Sequence, residues 1–388
     1  MGEDTNTIAI VPDVVIVGGG VIGASIAYHL ARAGIRDVLV LERDVLGSGS
    51  TSKNAGGIRM QFSTEINVRL SQRSVPRFER FADEMGIDPQ FRQVGYLFLI
   101  TEERDVGPFE RSLALWSRLG VPARRVERDE IGSIFPEVVA DDVLFATFCP
   151  TDGHADPTSI LNGYVAGARS LGVTFRERAE VTGIECTRGR VAGIRVGDER
   201  IGCGTVVDAA GPWAAQVGAM VGIDLPIRPL RRHIFVTGPV PGLEREFPLT
   251  IEFATTLYMH RGSGGVLLGM ADPSDPAGFR DGVNWDFLPQ VVERALARLP
   301  LLERAGVRTG WAGFYEDTPD KHPILGGVDE VDGFLVAAGF SGHGVMHAPA
   351  TGEVMAEIVA GRPTSIDVAP LGLARFRTGQ LVQEHHVV

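Results

Sequence analysis

The chain has 388 residues, a length that predicts two or three domains, each large enough to bury a core of its own. Hydrophobic residues account for 44% of the chain and charged residues for 22%, as is usual for globular proteins. The net charge of −12 argues against nucleic acid or an anionic membrane as a partner, and the apolar runs are too short to span a bilayer.

The three cysteines and the first residues of the chain predict its compartment. Cys149, Cys186 and Cys203 are an odd number and lack the spacing of metal ligands, so we predict no metal site. We interpret them as reduced thiols in the core of a cytoplasmic protein. Residues 1–12 contain two acids and no lysine or arginine, so we expect a loose tail and not a secretory signal.

The most informative segment lies near the N-terminus. After Asp13, residues 14–17 form an apolar run. A glycine-rich turn and an amphipathic stretch through Gly34 follow, and a second apolar run over 38–41 ends on Glu42. This order predicts a strand, a helix and a second strand. A carboxylate about 20 residues beyond such a turn accepts both hydroxyls of an adenosine ribose.

The glycines of this turn have the spacing of a dinucleotide-binding fingerprint. Gly18 permits the tight turn, Gly20 lets the backbone approach a pyrophosphate, and Gly23 lets the helix pack closely on the strand. The first turn of the helix, with Val21 and Ile22, offers free N–H groups and a positive dipole end to the phosphates. The alternative is a glycine-rich turn in an ordinary α/β protein.

The remaining elements follow in chain order. The glycine-rich, polar stretch 47–58 is too irregular for a strand. Helices are predicted over 65–85, 103–120, 158–171, 287–299 and 349–361, and strands over 96–100, 173–176, 180–186, 190–196, 206–210, 232–237, 257–259 and 265–269. The block from about 225 to 310 resembles an antiparallel layer more than a continuation of a parallel sheet.

The alternation of these segments predicts an α/β protein with two discontinuous domains that share a cleft. A Rossmann-like nucleotide-binding domain is expected to comprise residues 13–91, 149–215 and 313–388. An interleaved α+β domain, built on an antiparallel sheet, is expected to comprise residues 92–148 and 216–312 and to bind the substrate.

Five motifs stand in order along the chain: the opening glycine motif with Glu42, then the runs 49–57, 207–213, 318–324 and 339–344. Together they resemble the D-amino-acid-oxidase superfamily of flavoproteins. The resemblance is to the branch with sarcosine oxidase, glycine oxidase and the β subunits of amino-acid dehydrogenases. It covers nearly the whole chain and implies an extended FAD beneath a substrate-binding sheet.

The resemblance and the chemistry of the motifs assign a set of residues to FAD. Two of these assignments have alternatives, because Trp213 could serve only as a packing anchor and His343 could be a structural histidine. The assigned residues are Gly18, Gly20, Val21, Ile22, Gly23, Glu42, Arg43, Ser50, Thr51, Ser52, Asn54, Ala55, Gly56, Gly57, Val181, Ala210, Gly211, Trp213, Gly313, Gly339, Gly342, His343 and Gly344.

Two departures from the family pattern predict that FAD binds without a covalent link. Monomeric sarcosine oxidases tether the cofactor through a cysteine, and Gly313 occupies that position here. Relatives of dimethylglycine dehydrogenase use a histidine in the early glycine run, where this chain has Asn54 or its neighbour.

The resemblance implies that the flavin removes a hydride from the carbon beside the nitrogen of an amino acid, giving an imine that water hydrolyses. A guanidinium binds a carboxylate through two hydrogen bonds, so Arg59 is the first candidate for the substrate carboxylate, with a surface or interdomain salt bridge as its alternative. The pocket is also expected to include Tyr258, His260, Tyr315 and Met346. Arg261 is a further candidate, although strand alternation directs it away from the other two residues of its strand.

Two positions bear on the electron acceptor and on the size of the substrate. Met346 stands where monomeric sarcosine oxidase has a lysine that binds the carboxylate, and Leu267 stands near the position of its lysine that activates oxygen. These replacements put rapid oxidation by dioxygen in doubt and favour bulkier N-substituents or ring amino acids. Dioxygen and another electron acceptor therefore both stay open, as do partner subunits.

Three classes of function compete. The first is an oxidase of N-alkylated or cyclic secondary amino acids such as sarcosine or proline, or a dehydrogenase of the proline or dimethylglycine type. The second is another flavoenzyme, such as a hydroxy-acid dehydrogenase or a monooxygenase, although no second nucleotide fingerprint is present for a nicotinamide. The third is an accessory flavoprotein subunit of an electron-transfer complex.

Overall fold

The computed structural model describes residues 12–262 and 264–387. The tail expected over residues 1–12 therefore lies outside the described residues, apart from Pro12. Nineteen strands are described: β1 Val14–Val17, β2 Val38–Leu41, β3 Gly57–Ile58, β4 Tyr96–Ile100, β5 Arg124–Val126, β6 Phe145–Cys149, β7 Gly153–His154, β8 Thr174–Arg176, β9 Val181–Thr187, β10 Arg190–Val196, β11 Glu199–Ile201, β12 Thr205–Asp208, β13 Arg228–Thr237, β14 Leu249–Glu252, β15 Leu257–Gly262, β16 Gly265–Met270, β17 Val307–Asp317, β18 Ile324–Val328 and β19 Val331–Ala338.

Ten α-helices accompany these strands among the described residues. They are α1 Val21–Arg32, α2 Glu65–Glu79, α3 Phe81–Met85, α4 Glu103–Leu119, α5 Arg128–Ile134, α6 Pro157–Ser170, α7 Ala214–Ala219, α8 Leu288–Arg298, α9 Gly344–Val359 and α10 Arg375–Thr378.

The first large sheet has nine strands and a parallel centre. Its main order is β11-β10-β19-β12-β1-β2-β8, with β18 beside β19 and β9 beside β10. Every residue of β1 and β2 is buried, because α1, α6 and α9 cover one face of the sheet and a second apolar cluster covers the other. Since β2 and β12 lie on opposite sides of β1, the chain reverses direction across the sheet beside β1.

The second large sheet has eight strands in the order β17-β13-β16-β15-β14-β4-β6-β5. All neighbouring pairs are antiparallel except β14 and β4. The predicted α/β class, with a Rossmann-like sheet and a separate antiparallel sheet, is confirmed.

Several predicted bounds are wrong, and proline explains two of them. Strand β13 begins at Arg228, four residues before the predicted start. Pro229, the second residue of the strand, argued against an earlier start because proline is unusual inside a strand. Helix α9 begins at Gly344, five residues before the predicted start, and tolerates Pro349 in its interior. The helix predicted over 65–85 is two helices that meet at Arg80.

The domain boundary expected at 312–313 lies inside β17, which pairs with β13 on both sides of that point, and the division into two domains stays a prediction. Cys149 and Cys203 are buried, but Cys186 is exposed near the end of β9, so the prediction of three core thiols is wrong for Cys186. All three are free thiols.

Candidate active site

A single continuous cavity joins the carboxyl ends of the central parallel strands to one face of the antiparallel sheet. Its walls come from the β1–α1 turn, the end of β2, the loop 43–55, the β12–α7 turn, strands β13, β15 and β17, and the first turn of α9. The end at β1 is the position where an α/β sheet with reversed strand order binds its ligand.

The β1–α1 turn is shaped by glycines that leave no room for side chains. Gly18 has φ of +114°, and a Cβ there would overlap the carbonyl oxygen of Ala209. A Cβ at Gly23 would overlap the carbonyl oxygen of Gly18, so this glycine permits the close packing of α1 on β1. Gly20 faces the cavity, and its Cβ would lie 3.2 Å from the hydroxyl of Thr51.

Helix α1 points its N-terminus into the cavity. Its first turn contains no acidic side chain, and Gly20 supplies no side-chain cap. The hydroxyl of Thr51 accepts a hydrogen bond of 3.1 Å from the backbone N–H of Val21. The unpaired N–H groups and the helix dipole therefore favour an anion at this end.

Glu42 is held by the backbone at the end of β2. One carboxylate oxygen accepts from the N–H of Gly19 at 2.8 Å, and the other accepts from the N–H of Asp44 at 2.9 Å. The side chain lines the cavity. These two contacts orient an anionic acceptor toward the position where a ribose would lie.

An aromatic stack lies on the same side of the cavity. The guanidinium carbon of Arg43 lies 3.7 Å from the centre of the Trp213 ring, and the rings of Trp213 and Phe279 are stacked at 5.1 Å and 9°. Trp213 and Arg43 both line the cavity, so Trp213 is more than an internal packing anchor.

The loop after β2 is tied to the last strand of the antiparallel sheet. The Ser50 hydroxyl donates to the carbonyl of Phe314 at 2.6 Å, and the Trp311 indole donates to the carbonyl of Lys53 at 3.1 Å. A Cβ at Gly313 would lie 2.9 Å from the Cβ of Lys53, so the glycine allows this close approach. The loop expected to be irregular contains a short 3₁₀ turn and the strand β3.

Most of the residues assigned to the cofactor line the cavity. The exceptions are Gly23, Ser52, Gly56 and Gly339. Ser52 is exposed, Gly56 has φ of +78° and packs on Ala155, and Gly339 donates its N–H to Glu316 at 2.9 Å. These glycines shape the backbone around the cavity and do not face it.

The nucleotide end of the cavity fits FAD. A glycine turn without side chains, a helix N-terminus with no acidic side chain in its first turn and a preoriented carboxylate are the groups that bind an adenine dinucleotide. The cavity continues beneath β13, β15 and β17, where Arg232, Tyr258 and Tyr315 line it.

Three tyrosines line the end of the cavity under the antiparallel sheet: Tyr96, Tyr258 and Tyr315. Burial raises the pKa of each phenol above its ordinary value. The three groups are therefore neutral at pH 7 and act as hydrogen-bond donors or aromatic walls. Met346, in the first turn of α9, adds a flexible apolar surface.

Arg59 lines the cavity but is almost fully enclosed, with 1% of its surface exposed. Its guanidinium donates to the carbonyls of Gln61 and His386 and lies 3.9 Å from the centre of the Phe62 ring. Burial lowers its pKa from the usual value. No carboxylate among the described residues forms a salt bridge with it within 4.0 Å.

His343 caps α9 and lines the cavity beside Arg59. Its Nε2 lies 3.4 Å from a guanidinium nitrogen of Arg59, and its Nδ1 is buried with no hydrogen-bond partner among the described residues. Burial, followed by the charge of Arg59, lowers its pKa well below the usual value, so the ring is neutral at pH 7. A buried nitrogen without a partner is expected where a bound molecule completes the site.

His260 is directed away from the cavity. Its Nε2 lies 3.0 Å from the carbonyl of Ala55, and its ring is stacked on His154 at 4.5 Å. It supports the backbone of the cofactor loop and is not placed to touch a substrate. Arg261 lies on the opposite face of β15 and contacts the carbonyl of Leu243, as alternation predicts.

Three buried carboxyl groups lie around the cavity. Burial raises the pKa of Asp152 and of Glu316 to about 7 and raises that of Asp208 well above its usual value. Asp152 accepts from the N–H of Met60 at 3.0 Å, and Asp208 accepts from the N–H of Ala210 at 3.1 Å. These acids organise the backbone of the adjoining turns.

Sequence reasoning missed Arg232, Tyr96 and Glu316, which all line the cavity. Arg232 follows Arg231 directly, so only one of the two can face the cavity, and the register of β13 decides which. Tyr96 lies in an apolar strand that reads as core, and nothing in its local pattern indicates a cavity.

A family model for FAD-dependent oxidoreductases (DAO) matches residues 13–358. The chain belongs to this family of FAD-dependent oxidoreductases, and the resemblance based on its motifs is confirmed. FAD is therefore the cofactor of the cavity.

Curated relatives of two kinds resemble the chain. The FAD-dependent oxidoreductase domain-containing protein 1 of Bos taurus is 32% identical over 426 residues, covering 97% of this chain and 87% of the relative. The mitochondrial dimethylglycine dehydrogenase of Rattus norvegicus is 30% identical over 394 residues, covering 96% of this chain and 46% of the relative. The chain thus spans about half the length of that dehydrogenase.

Solved structures resemble the whole described fold. The L-proline dehydrogenase from P. horikoshii has a TM-score of 0.90 and 33% identity, covering 96% of this chain and 99% of the other. The glycine oxidase from Geobacillus kaustophilus has a TM-score of 0.83 and 29% identity, covering 94% and 98%. Among the described residues, no helix combines the length and apolarity needed to cross a membrane.

Proposed function

We propose that this FAD-dependent oxidoreductase oxidises secondary amino acids, N-alkylated or cyclic, such as sarcosine or proline. The observation that carries the proposal is the substrate end of the cavity, where two guanidinium groups and three phenols surround one space that is continuous with the nucleotide end. The names of two relatives, sarcosine dehydrogenase and L-proline dehydrogenase, support secondary amino acids, and those of dimethylglycine dehydrogenase and glycine oxidase support amino acids as the wider class.

The cofactor supplies a two-electron acceptor that takes a hydride from the carbon beside the substrate nitrogen. The amine loses its remaining proton to water, the C–N bond becomes an imine, and water hydrolyses the imine. No residue of the chain forms or breaks a covalent bond in this reaction. The residues' part is to bind the carboxylate, exclude water and keep the amine uncharged.

The charges of the pocket favour the neutral amine. Arg59 and Arg232 are both cationic and line the same space, and the neighbouring His343 is neutral. A protonated amine beside two guanidinium groups is disfavoured by charge repulsion, which lowers the pKa of the bound amine. Because the amine must present its lone pair during hydride removal, this arrangement assists the reaction without a dedicated base.

The walls of the pocket suit an N-substituted or ring substrate. Tyr258, Tyr315 and Met346 present aromatic and apolar surface. A methyl group or a five-membered ring therefore finds apolar contacts. Two alternatives stand for the electron acceptor: dioxygen, as in an oxidase, or another acceptor, as in a dehydrogenase. The proposal also includes partner subunits for the second alternative and a cytoplasmic location.

An anaerobic substrate screen tests this function. The purified FAD-containing protein is mixed without oxygen with sarcosine, L-proline, N,N-dimethylglycine or L-lactate, and the absorption of oxidised flavin is followed. We expect bleaching by sarcosine or proline and none by lactate. Admitting air then distinguishes an oxidase, which recovers its colour rapidly, from a dehydrogenase, which does not.

Two outcomes contradict the proposal. Bleaching by lactate alone indicates a hydroxy-acid dehydrogenase. Bleaching by dithionite but by none of the four compounds indicates an accessory flavoprotein whose electrons come from a partner subunit.

A further inference from the structure

The hydrogen-bond donors of Arg59 are already directed to groups of the chain. One terminal nitrogen donates to the carbonyl oxygen of Gln61, and the other donates to the carbonyl oxygen of His386 and lies 3.4 Å from Nε2 of His343. The guanidinium carbon also lies 3.9 Å from the centre of the Phe62 ring. A bidentate contact to a substrate carboxylate needs two free N–H groups in one plane, and Arg59 would have to release the backbone to provide them.

Arg232 has the opposite arrangement. It lies on β13 opposite Gly313, lines the cavity, and its guanidinium carbon lies 5.0 Å from the centre of the Tyr315 ring. One nitrogen donates to the backbone carbonyl of Arg231 at 3.2 Å. Its Nε is buried and has no hydrogen-bond partner among the described residues.

The charge of Arg232 is also uncompensated. Among the described residues, no aspartate or glutamate oxygen lies within 4.0 Å of its guanidinium. The adjacent Arg231 provides the contrast, since it faces the other side of β13 and forms two hydrogen bonds with the carboxylate of Asp275, at 2.7 and 3.1 Å. A half-buried cation with an unpaired buried N–H is stabilised by an anionic ligand.

We propose that Arg232 binds the carboxylate of the substrate and that Arg59 is a buried positioning residue. This inference rests on the proposed function and names the group that selects its substrates. Arg232 lines the cavity, and its terminal N–H groups can donate two hydrogen bonds to a carboxylate there.

The test compares ring ligands with and without a carboxylate. L-Proline and pyrrolidine are used to reduce the flavin anaerobically. Tetrahydrofuran-2-carboxylate, in which an ether oxygen replaces the nitrogen of proline, is titrated against the oxidised holoenzyme by changes in the flavin spectrum. The proteins are wild type, Arg232→Met, Arg232→Lys and, as a matched control, Arg228→Met, an exposed arginine at the start of the same strand.

We expect Arg232→Met to raise the half-saturating concentrations of proline and tetrahydrofuran-2-carboxylate about 10- to 150-fold, the loss expected for a charge-assisted bidentate contact. The FAD content should not change, and pyrrolidine, which has no carboxylate, should be affected much less than proline. Arg232→Lys should recover part of the affinity, because it restores the charge without the planar fork. Arg228→Met should match wild type in all four measurements.

The proposal is overturned if Arg232→Met retains FAD and binds tetrahydrofuran-2-carboxylate as tightly as wild type. Should the methionine variant lose FAD, Arg232→Lys decides, since unchanged affinity in that variant also overturns the proposal. If wild type binds tetrahydrofuran-2-carboxylate through Arg232 but neither proline nor sarcosine bleaches the flavin, the proposed function fails and the carboxylate site stands.

Discussion

At the scale of single residues, the cofactor site depends on places where a side chain is missing. Gly18 turns the chain in a conformation that L-residues rarely adopt, and Gly20 exposes bare backbone to the cavity. The N–H groups that follow can then approach a phosphate closely. Glu42 completes this arrangement because two backbone N–H groups orient its carboxylate before any ligand binds.

The first prediction concerns Gly20. In Gly20→Val the added methyl groups would occupy the space beside Thr51 through which the pyrophosphate must approach, so we expect loss of most of the bound FAD. The measurement is the ratio of flavin absorbance to protein in the purified variant.

Gly204→Val serves as the control for this substitution. A Cβ at Gly204 meets no atom within 4 Å, and its φ lies outside the left-handed region, so this variant should keep its FAD. Full flavin content in Gly20→Val would contradict the assignment of this turn to the pyrophosphate.

At the scale of elements, the last residues of the chain are part of the core beneath the substrate pocket. The carboxylate of Glu384 accepts hydrogen bonds from Ser63 and Thr64, through both backbone and hydroxyl groups, and from the amide of Asn67. His386 is stacked on Phe109 at 4.2 Å, and its carbonyl accepts from Arg59. This segment therefore holds Arg59 in place.

The second prediction concerns the pH dependence that Glu384 confers. Burial opposes ionisation of this carboxyl, but the charge of His386 and the hydrogen bonds from Ser63 and Thr64 outweigh it, so its pKa lies well below the usual 4.5. Because the folded protein holds the ionised form more strongly than the unfolded chain does, the stabilisation is present above pH 4.5 and is lost as pH falls below it.

Glu384→Gln should therefore lower the free energy of unfolding at pH 7 by about 2–4 kcal/mol, since an amide donor would face hydrogen-bond donors. The difference from wild type, measured by denaturant unfolding, should shrink below pH 4.5. Glu65→Gln, at an exposed ion pair of α2, should cost at most about 1 kcal/mol. An equal loss in the two variants would contradict the account of the C-terminal segment.

The elements of the nucleotide half were largely predictable because their signals are local. Apolar periodicity and glycine spacing predict β1, α1 and β2 in this order, together with Glu42 at the end of β2. The starts of α9 and β13 were not predictable. Pro349 and Pro229 locally disfavour a helix and a strand, and tertiary contacts override that preference. The role of the C-terminal segment had no sequence signal at all.

At the scale of the whole molecule, the cavity exists only because two sheets from interleaved segments face one another. Its cofactor end follows from one motif, but its substrate end combines residues from β4, β13, β15, β17 and α9. Which of two adjacent arginines enters such a space depends on the register of β13 with β17, which the sequence does not determine. Sequence reasoning therefore reached the cofactor and missed Arg232.

The third prediction is that the cofactor is released without a covalent bond. None of the three cysteines lines the cavity, and a side chain at Gly313 would collide with Lys53. Acid precipitation should leave all the flavin in the supernatant, as measured by its absorbance. Yellow protein in the washed pellet would contradict this and would direct attention to His343 as a tether.

The most direct test of the central claim is an anaerobic titration of the bound FAD with the better of sarcosine and L-proline, with the imine or its hydrolysis product measured in the same samples. The account predicts that one equivalent of amino acid bleaches one equivalent of flavin and that one equivalent of product forms. A flavin that dithionite reduces fully, but that neither amino acid bleaches at any concentration, would contradict the claim that this cavity oxidises secondary amino acids.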